Sequence, residues 1–243
     1  MKVFLAGAAG VVGRRLVVLL RKAGHDVVGT TRSETKSAAL RTLGAVPALV
    51  NVFDADKLKL AVYAVQPDVI VHQLSDLPQD SDPKKIQAAL EGHARLRIDG
   101  TRNLVAAAQA NGVRRVIAQS IAFAYAPGLG PLRETHPLDL SAQGVRKRTI
   151  EGVAALEQAV TQTQGIDGIV LRYGRFYGPG TWTETASGAS PLHVDAAAHA
   201  ALLALSKGAP GAYNIAEDDD AVAIDRARRD LGFDPDFRMD GST

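Results

Sequence analysis

The feature that most restricts the fold stands at the start of the chain. A short apolar stretch, Lys2 to Ala6, runs directly into Gly7-Ala8-Ala9-Gly10-Val11-Val12-Gly13. Apolar residues then recur at helical spacing at Val12, Leu16, Leu19 and Leu20 until Gly24. That order reads as a buried strand, a glycine turn and a helix from Val11 to Ala23 stopped by a C′ glycine. Glycines in such a turn let backbone approach a ligand, and the first N–H groups of a helix lack intrahelical partners, so the turn suits a pyrophosphate. The spacing is G-x-x-G-x-x-G rather than the commoner G-x-G-x-x-G, so its position after the first strand carries the assignment. Gly7, Gly10, Val11, Val12 and Gly13 are the expected pyrophosphate contacts. Close helix–strand packing is the other use the same glycines could have.

Further along, short apolar runs alternate with longer helical patterns. Strands are expected at Asp26 to Thr30, Val46 to Val50, Asp68 to His72, Arg115 to Gln119 and Asp167 to Arg172. Helices are expected at Thr35 to Leu43, Lys84 to Ala110 and Gln143 to Thr163. Alternation of this kind implies right-handed crossovers and a parallel sheet covered on both faces, and the strands lack the polar/apolar alternation of a half-exposed sheet. The fold class is therefore α/β, a Rossmann-type doubly wound parallel sheet. Residues 1–173 are expected to form the dinucleotide-binding domain, and 174–243 a reduced C-terminal lobe on the substrate side, intertwined with it.

Charge and composition narrow the function. The 28 basic and 26 acidic residues are interspersed over 243 positions, so no basic stripe for nucleic acid stands out. Cysteine is absent, which excludes disulfides, thiolate zinc sites and a cysteine nucleophile. Lys2 and the apolar run after it imitate a signal peptide, but the glycines and Arg14-Arg15 interrupt the run too early, and no stretch is long enough to cross a bilayer. A cytoplasmic protein without nucleic-acid or membrane partners is expected. His72, His193 and Asp195 lack companions at metal-ligand spacing, so no metal is expected.

The end of the second strand bears on the nucleotide. An acid there accepts hydrogen bonds from the ribose hydroxyls of NAD. This chain reads Val27-Val28-Gly29-Thr30-Thr31-Arg32-Ser33, with no acid before Glu34. Arg32, supported by Ser33 and by Arg14 or Lys36, suits a 2′-phosphate instead, so NADP is favoured and NAD is the alternative. A solvated arginine leading into a helix is the plainer use of Arg32.

Several stretches together resemble the extended or atypical short-chain dehydrogenase/reductases of the NAD-dependent epimerase/dehydratase kind. They are the glycine turn, Asn51-Val52, Val71-His72-Gln73-Leu74-Ser75, Asp99-Gly100-Thr101-Arg102-Asn103-Leu104, and Leu171 to Gly180. His193-Val194-Asp195, Gly211 to Ile215 and Ala227 to Phe233 extend the likeness almost to the end of the chain. The resemblance implies that Asn51 and Val52 meet the adenine, and that Gln73, Leu74, Ser75, Ser120 and Tyr173 border the cofactor. It implies an oxidoreductase or epimerase acting on a small hydroxy or keto compound, of sugar-derived type in many members.

Two departures qualify it. The connections from Thr181 to Leu192 and from Glu217 to Asp225 are short for the family's substrate lobe, which leaves the substrate site either open or completed by a second subunit of a homodimer. The family's Tyr-x-x-x-Lys pair, in which the lysine lowers the tyrosine's pKa and holds the nicotinamide ribose, falls on Thr149 and Val153, and no such pair occurs anywhere in the sequence. Ser120, Tyr125 and Lys147 are the remaining candidates for an atypical proton relay. Each has a structural alternative: backbone satisfaction for Ser120, core packing for Tyr125 and a solvated face for Lys147. A nucleotide-binding sensor or regulatory protein without hydride chemistry stays open beside the enzyme.

Overall fold

The computed structural model describes residues 1–78 and 80–239. Its strands and helices follow in the order β1 (Lys2–Ala6), α1 (Val11–Lys22), β2 (Asp26–Thr31), α2 (Glu34–Thr42), β3 (Val46–Leu49), α3 (Ala55–Val65), β4 (Val69–His72) and α4 (Pro83–Arg95). A π turn, Leu96–Gly100, joins α4 to α5 (Thr101–Ala110), and β5 (Arg115–Ile121), α6 (Gly144–Gln162) and β6 (Asp167–Tyr173) come next. The chain continues through β7 (Arg175–Tyr177), β8 (Pro191–His193), α7 (Val194–Leu203), β9 (Gly211–Ile215) and α8 (Asp225–Leu231). The long helix expected from Lys84 to Ala110 is thus interrupted by a π turn over Leu96–Gly100. The helix α3 was not expected from the sequence: two of its large apolar residues, Leu60 and Tyr63, are exposed and blur the period, leaving only Leu58 and Val62 buried.

Seven strands form one sheet in the order β3-β2-β1-β4-β5-β6-β9, and every pairing is parallel. The order reverses between β1 and β4, so their carboxyl ends open the crevice where ligands bind in such sheets. Both faces are covered. Val3, Leu5, Val71, Ile117 and Leu171 pack with Leu16, Leu20, Ala197 and Ala201 of α1 and α7. Phe4, Ile70, Val116 and Val170 pack the other way, with Leu58, Val62, Leu104 and Leu156. Burial on both faces is why these strands read as continuous apolar runs.

The segment after Tyr173 threads back into the first part. It supplies β9 at the sheet edge, and the alanines of α7 let that helix lie close on α1 within the same core. Outside this shared core it adds the small parallel pair β7–β8. No helix among the described residues is long and apolar enough to cross a membrane.

Candidate active site

The glycine turn divides its labour. Gly7 has φ +90°, and a Cβ there would collide with the Gln73 backbone and come 2.7 Å from Leu74 N, so the turn is pressed onto the end of β4. A Cβ on Gly13 would run into the Gly7 carbonyl oxygen, which keeps α1 tight against the turn. Gly10 differs: it is exposed, and a Cβ there would meet only Gly7 O, at 3.3 Å. Gly10 is also the N-cap of α1, with no side-chain capping bond and no acid in the first turn. Val11, Val12 and Gly13 therefore open a helix whose positive end is uncapped, the arrangement that fits a pyrophosphate.

The edges of the crevice hold the other expected contacts. Arg32 is exposed after β2, with its guanidinium 3.7 Å from Asp76 of the loop after β4. Asn51 is exposed and accepts a hydrogen bond from Phe53 N at 3.1 Å, while Val52 is buried and its carbonyl accepts from Asn103 Nδ2 at 2.9 Å. Gln73 is buried and donates to the Tyr173 hydroxyl at 3.1 Å, which in turn donates to Ala197 O. Its Oε1 has no partner although it is buried, an open acceptor at the end of β4 of the kind a bound polar group satisfies. Ser75 is exposed.

Two buried histidines fix the loop after β4. His72 Nδ1 accepts from Leu74 N at 3.1 Å and its Nε2 pairs with Thr101 Oγ1 at 3.1 Å. His93 Nδ1 accepts from Asp76 N at 3.2 Å. Burial, with the charge of Arg97 nearby, lowers His72 to about 4 and His93 to about 3, so both are neutral acceptors near pH 7. Opposite this loop, residues 178–183 cross the first turn of α1. Arg15 Nη2 donates to Pro179 O at 2.6 Å, and the Trp182 indole donates to Pro78 O at 3.0 Å, bridging the two sides.

The expected catalytic residues are not brought together as a relay. Ser120 and Tyr125 belong to a buried network centred on Arg172 and Glu157. Arg172 grips Glu157 with two bonds, 2.9 Å to Oε1 and 2.7 Å to Oε2, and Ser120 Oγ donates to the same Oε1 at 2.7 Å. The Tyr125 hydroxyl accepts from Arg172 at 2.7 Å and donates to Asn214 Oδ1 at 2.6 Å. Burial pushes the Tyr125 phenol above its ordinary value, with Arg172 opposing. Both hydroxyls are thus used in bracing β5, β6, α6 and β9. Lys147 stands exposed in the first turn of α6. Val153 is fully buried against Ala124, Ala142 and Ile150, and Thr149 is half-buried on the same helix. Beyond the ends of β5 and β6 lies a cavity of about 350 Å³ whose walls include Phe123, Tyr125, Leu132, Arg146, Arg175 and Val222.

Glu157, Asn214 and Arg97 had not been singled out from the sequence. The spacing of Glu157 four residues after Val153, on the face turned to the sheet, was the available signal.

Residues 3–201 match the model of the NAD dependent epimerase/dehydratase family. A relative from Streptomyces sp, the 3-diazoavenalumate denitrifying reductase, is 37% identical over 261 residues, covering 97% of this chain and 83% of the relative. Among solved structures, a UDP-glucose 4-epimerase from Thermotoga maritima with UDP-glucose superposes with a TM-score of 0.78 at 17% identity, over 98% of this chain and 94% of that one. The Bordetella bronchiseptica enzyme WbmH, in complex with NAD+, gives a TM-score of 0.70 at 22% identity, over 91% and 77%. With a glycine turn and switch-point crevice built as described, and with the match running through most of its length, the chain belongs to the NAD dependent epimerase/dehydratase family.

Proposed function

We propose that this chain is an NADP-dependent oxidoreductase that passes a hydride to a small electrophilic substrate without a Tyr/Lys relay. One observation carries the reading: the glycine turn leads into an uncapped α1 of the kind that suits a pyrophosphate, while the helix face that would carry the relay presents Thr149 and the buried Val153. The uncapped start of α1 receives the pyrophosphate, Arg32 the 2′-phosphate, and Asn51 and Val52 the adenine. Gln73, Leu74, Ser75 and Tyr173 border the nicotinamide half, and residues 174–239 of the expected lobe 174–243, whose remainder lies outside the described residues, supply the substrate side around the cavity. Ser120 and Tyr125 act by bracing that wall. NAD remains the alternative nucleotide, since Asp76 already stands near Arg32.

The name of the Streptomyces relative supports a reaction type. Bound in the crevice, the dinucleotide supplies a hydride. A diazonium carbon that takes up hydride loses N2 with the electrons of the carbon–nitrogen bond, giving a C–H product. No proton has to come from the protein, so the loss of an acid at position 149 costs such a reaction nothing. A carbonyl acceptor, in contrast, needs a proton on its oxygen.

NADPH oxidation followed with an aryl diazonium salt and with a panel of ketones and aldehydes tests this, against the rate without protein. Protein-dependent turnover of the diazonium salt above that of the carbonyl compounds is expected. Rates equal to the blank for every compound, with nucleotide binding intact, would leave a sensor or regulatory protein as the function.

A further inference from the structure

Arg97 lies in the π turn between α4 and α5, is 8 % exposed, and makes no hydrogen bond or ion pair with the described residues. Its nitrogens are not among the described buried atoms left without a partner, so the fork reaches solvent through a small opening. A cation so largely desolvated and without an ion-pair partner is costly, and a ligand group meeting it at that opening would offset the cost. Its surroundings define where that group sits. His72, the last residue of β4, and His93, one turn earlier on α4, both feel its charge. On the facing helix Gly152 makes room: a Cβ there would lie 3.4 Å from Arg97 Cβ and 3.2 Å from Ala94 Cα. Glu157 is an acid whose charge reaches Arg97, but its oxygens are already taken by Arg172 and Ser120. Burial accordingly lowers the Arg97 guanidinium to about 10. The π turn contributes as well, since an inserted residue redirects the side chains of one helical turn, and such turns recur at functional sites.

Resting on the nucleotide reading above, we propose that Arg97 is a binding residue for the nicotinamide-side ribose, donating from its fork to the two vicinal hydroxyls. The topology favours that half of the ligand. The glycine turn fixes the pyrophosphate at β1, Arg32 takes the adenosine end toward β2, and the other half must then run across β4 toward β5. The π turn that carries Arg97 runs into Thr101, whose hydroxyl meets His72 Nε2 at the end of β4 at 3.1 Å, and Arg97 is not among the residues lining the cavity beyond β5 and β6, which puts it on the β4 side of that cavity. A planar fork with parallel N–H groups matches a cis-diol as it matches other paired oxygens.

Calorimetry with NADPH and with 2′,5′-ADP, which lacks the nicotinamide ribose, separates the roles. Arg97→Gln should weaken NADPH by roughly tenfold or more and leave 2′,5′-ADP unchanged, with Arg97→Lys between. The nucleotide-free Arg97→Met protein should melt no lower than wild type, because an unpaired buried charge has been removed. Unchanged NADPH affinity, a parallel loss of both nucleotides, or a clearly lower melting temperature of the nucleotide-free variant would each overturn the assignment. Unchanged NADPH affinity with a raised KM for the substrate would hand Arg97 to the substrate instead. A wild type that binds neither nucleotide fails the proposed function and this inference with it, while the melting result still reports whether Arg97 is structural.

Discussion

The Arg172–Glu157 pair offers the sharpest test of how the site wall is held. Both side chains are almost entirely buried, 7 % and 10 % exposed, and joined by two short bonds. Replacing Arg172 with methionine keeps the volume roughly constant but leaves the Glu157 carboxylate in the interior with a single donor, Ser120. It also removes the donor to the Tyr125 hydroxyl. Breaking one half of a buried pair costs about 3–5 kcal/mol, which in a chain of this size lowers the melting temperature by about 6–20 °C. Removing both charges in Arg172→Met/Glu157→Leu should recover much of that loss, because no uncompensated charge remains. Thermal and urea unfolding of the two single variants and the double variant give the coupling, expected to exceed about 1.5 kcal/mol. Additive effects to within about 0.5 kcal/mol, or a loss below about 1 kcal/mol for Arg172→Met, would refute the argument. Tyr125→Phe is the companion: it should cost about 1–3 kcal/mol of stability and change turnover less than tenfold. A fall in turnover of roughly 10²–10⁴ at unchanged stability would restore Tyr125 as a proton donor.

Arg32→Ala should lower NADPH affinity about tenfold or more and leave NADH nearly unchanged, and calorimetry giving equal affinities in wild type would remove the 2′-phosphate from Arg32. Gly10→Val should lower the melting temperature only modestly, since the backbone there has φ −78° and an added Cβ meets only Gly7 O, at 3.3 Å, yet abolish nucleotide-induced stabilisation. If the wild-type shift survives, the pyrophosphate binds elsewhere. His72 carries a pH window. The unfolded chain takes up its proton below about 6.5 and the folded one only near about 4, so the unfolded state holds more protons between these values and stability falls as pH falls. The loss from this group is roughly 3 kcal/mol across the window, and a melting temperature that stays level from pH 6.5 to 4 would refute it.

Much of this was legible because the relevant signals are local. Lys2 to Ala6, the three glycines and the Leu16–Leu20 stripe are contiguous, and they alone place the crevice at the first strand–helix turn. Strands buried on both faces announced the parallel sheet. The π turn was not legible, because Leu96 to Gly100 have ordinary helical composition, and the helix that α4, the turn and α5 all pack against, α6, lies much further along the chain. The network was not legible for a different reason. Ser120 and Tyr125 were correctly placed next to the end of β5, but what consumes their hydroxyls lies 37 and 89 residues further on, at Glu157 and Asn214. Proximity in sequence to a strand end marks a residue as near the site; only tertiary partners decide whether its hydroxyl is free.

The same distinction bears on how the chain could do chemistry without the pair its family resemblance implies. On α6, Val153 has become core, sealed against Ala124 and Ile150, and a lysine introduced there would have to displace packed side chains. A cation is nonetheless present across the helix interface, on the π turn, where Gly152 leaves it room. Moving the positive charge from α6 to Arg97 separates two duties that a lysine beside a tyrosine performs together. A guanidinium can still donate hydrogen bonds to a ribose, but with no phenol at position 149 there is no acid whose pKa it could lower. On the proposed reading, such a site would retain orientation of the nucleotide and give up proton delivery. It would then be matched to acceptors that need hydride alone, and each carbonyl substrate it turned over would have to draw its proton from water.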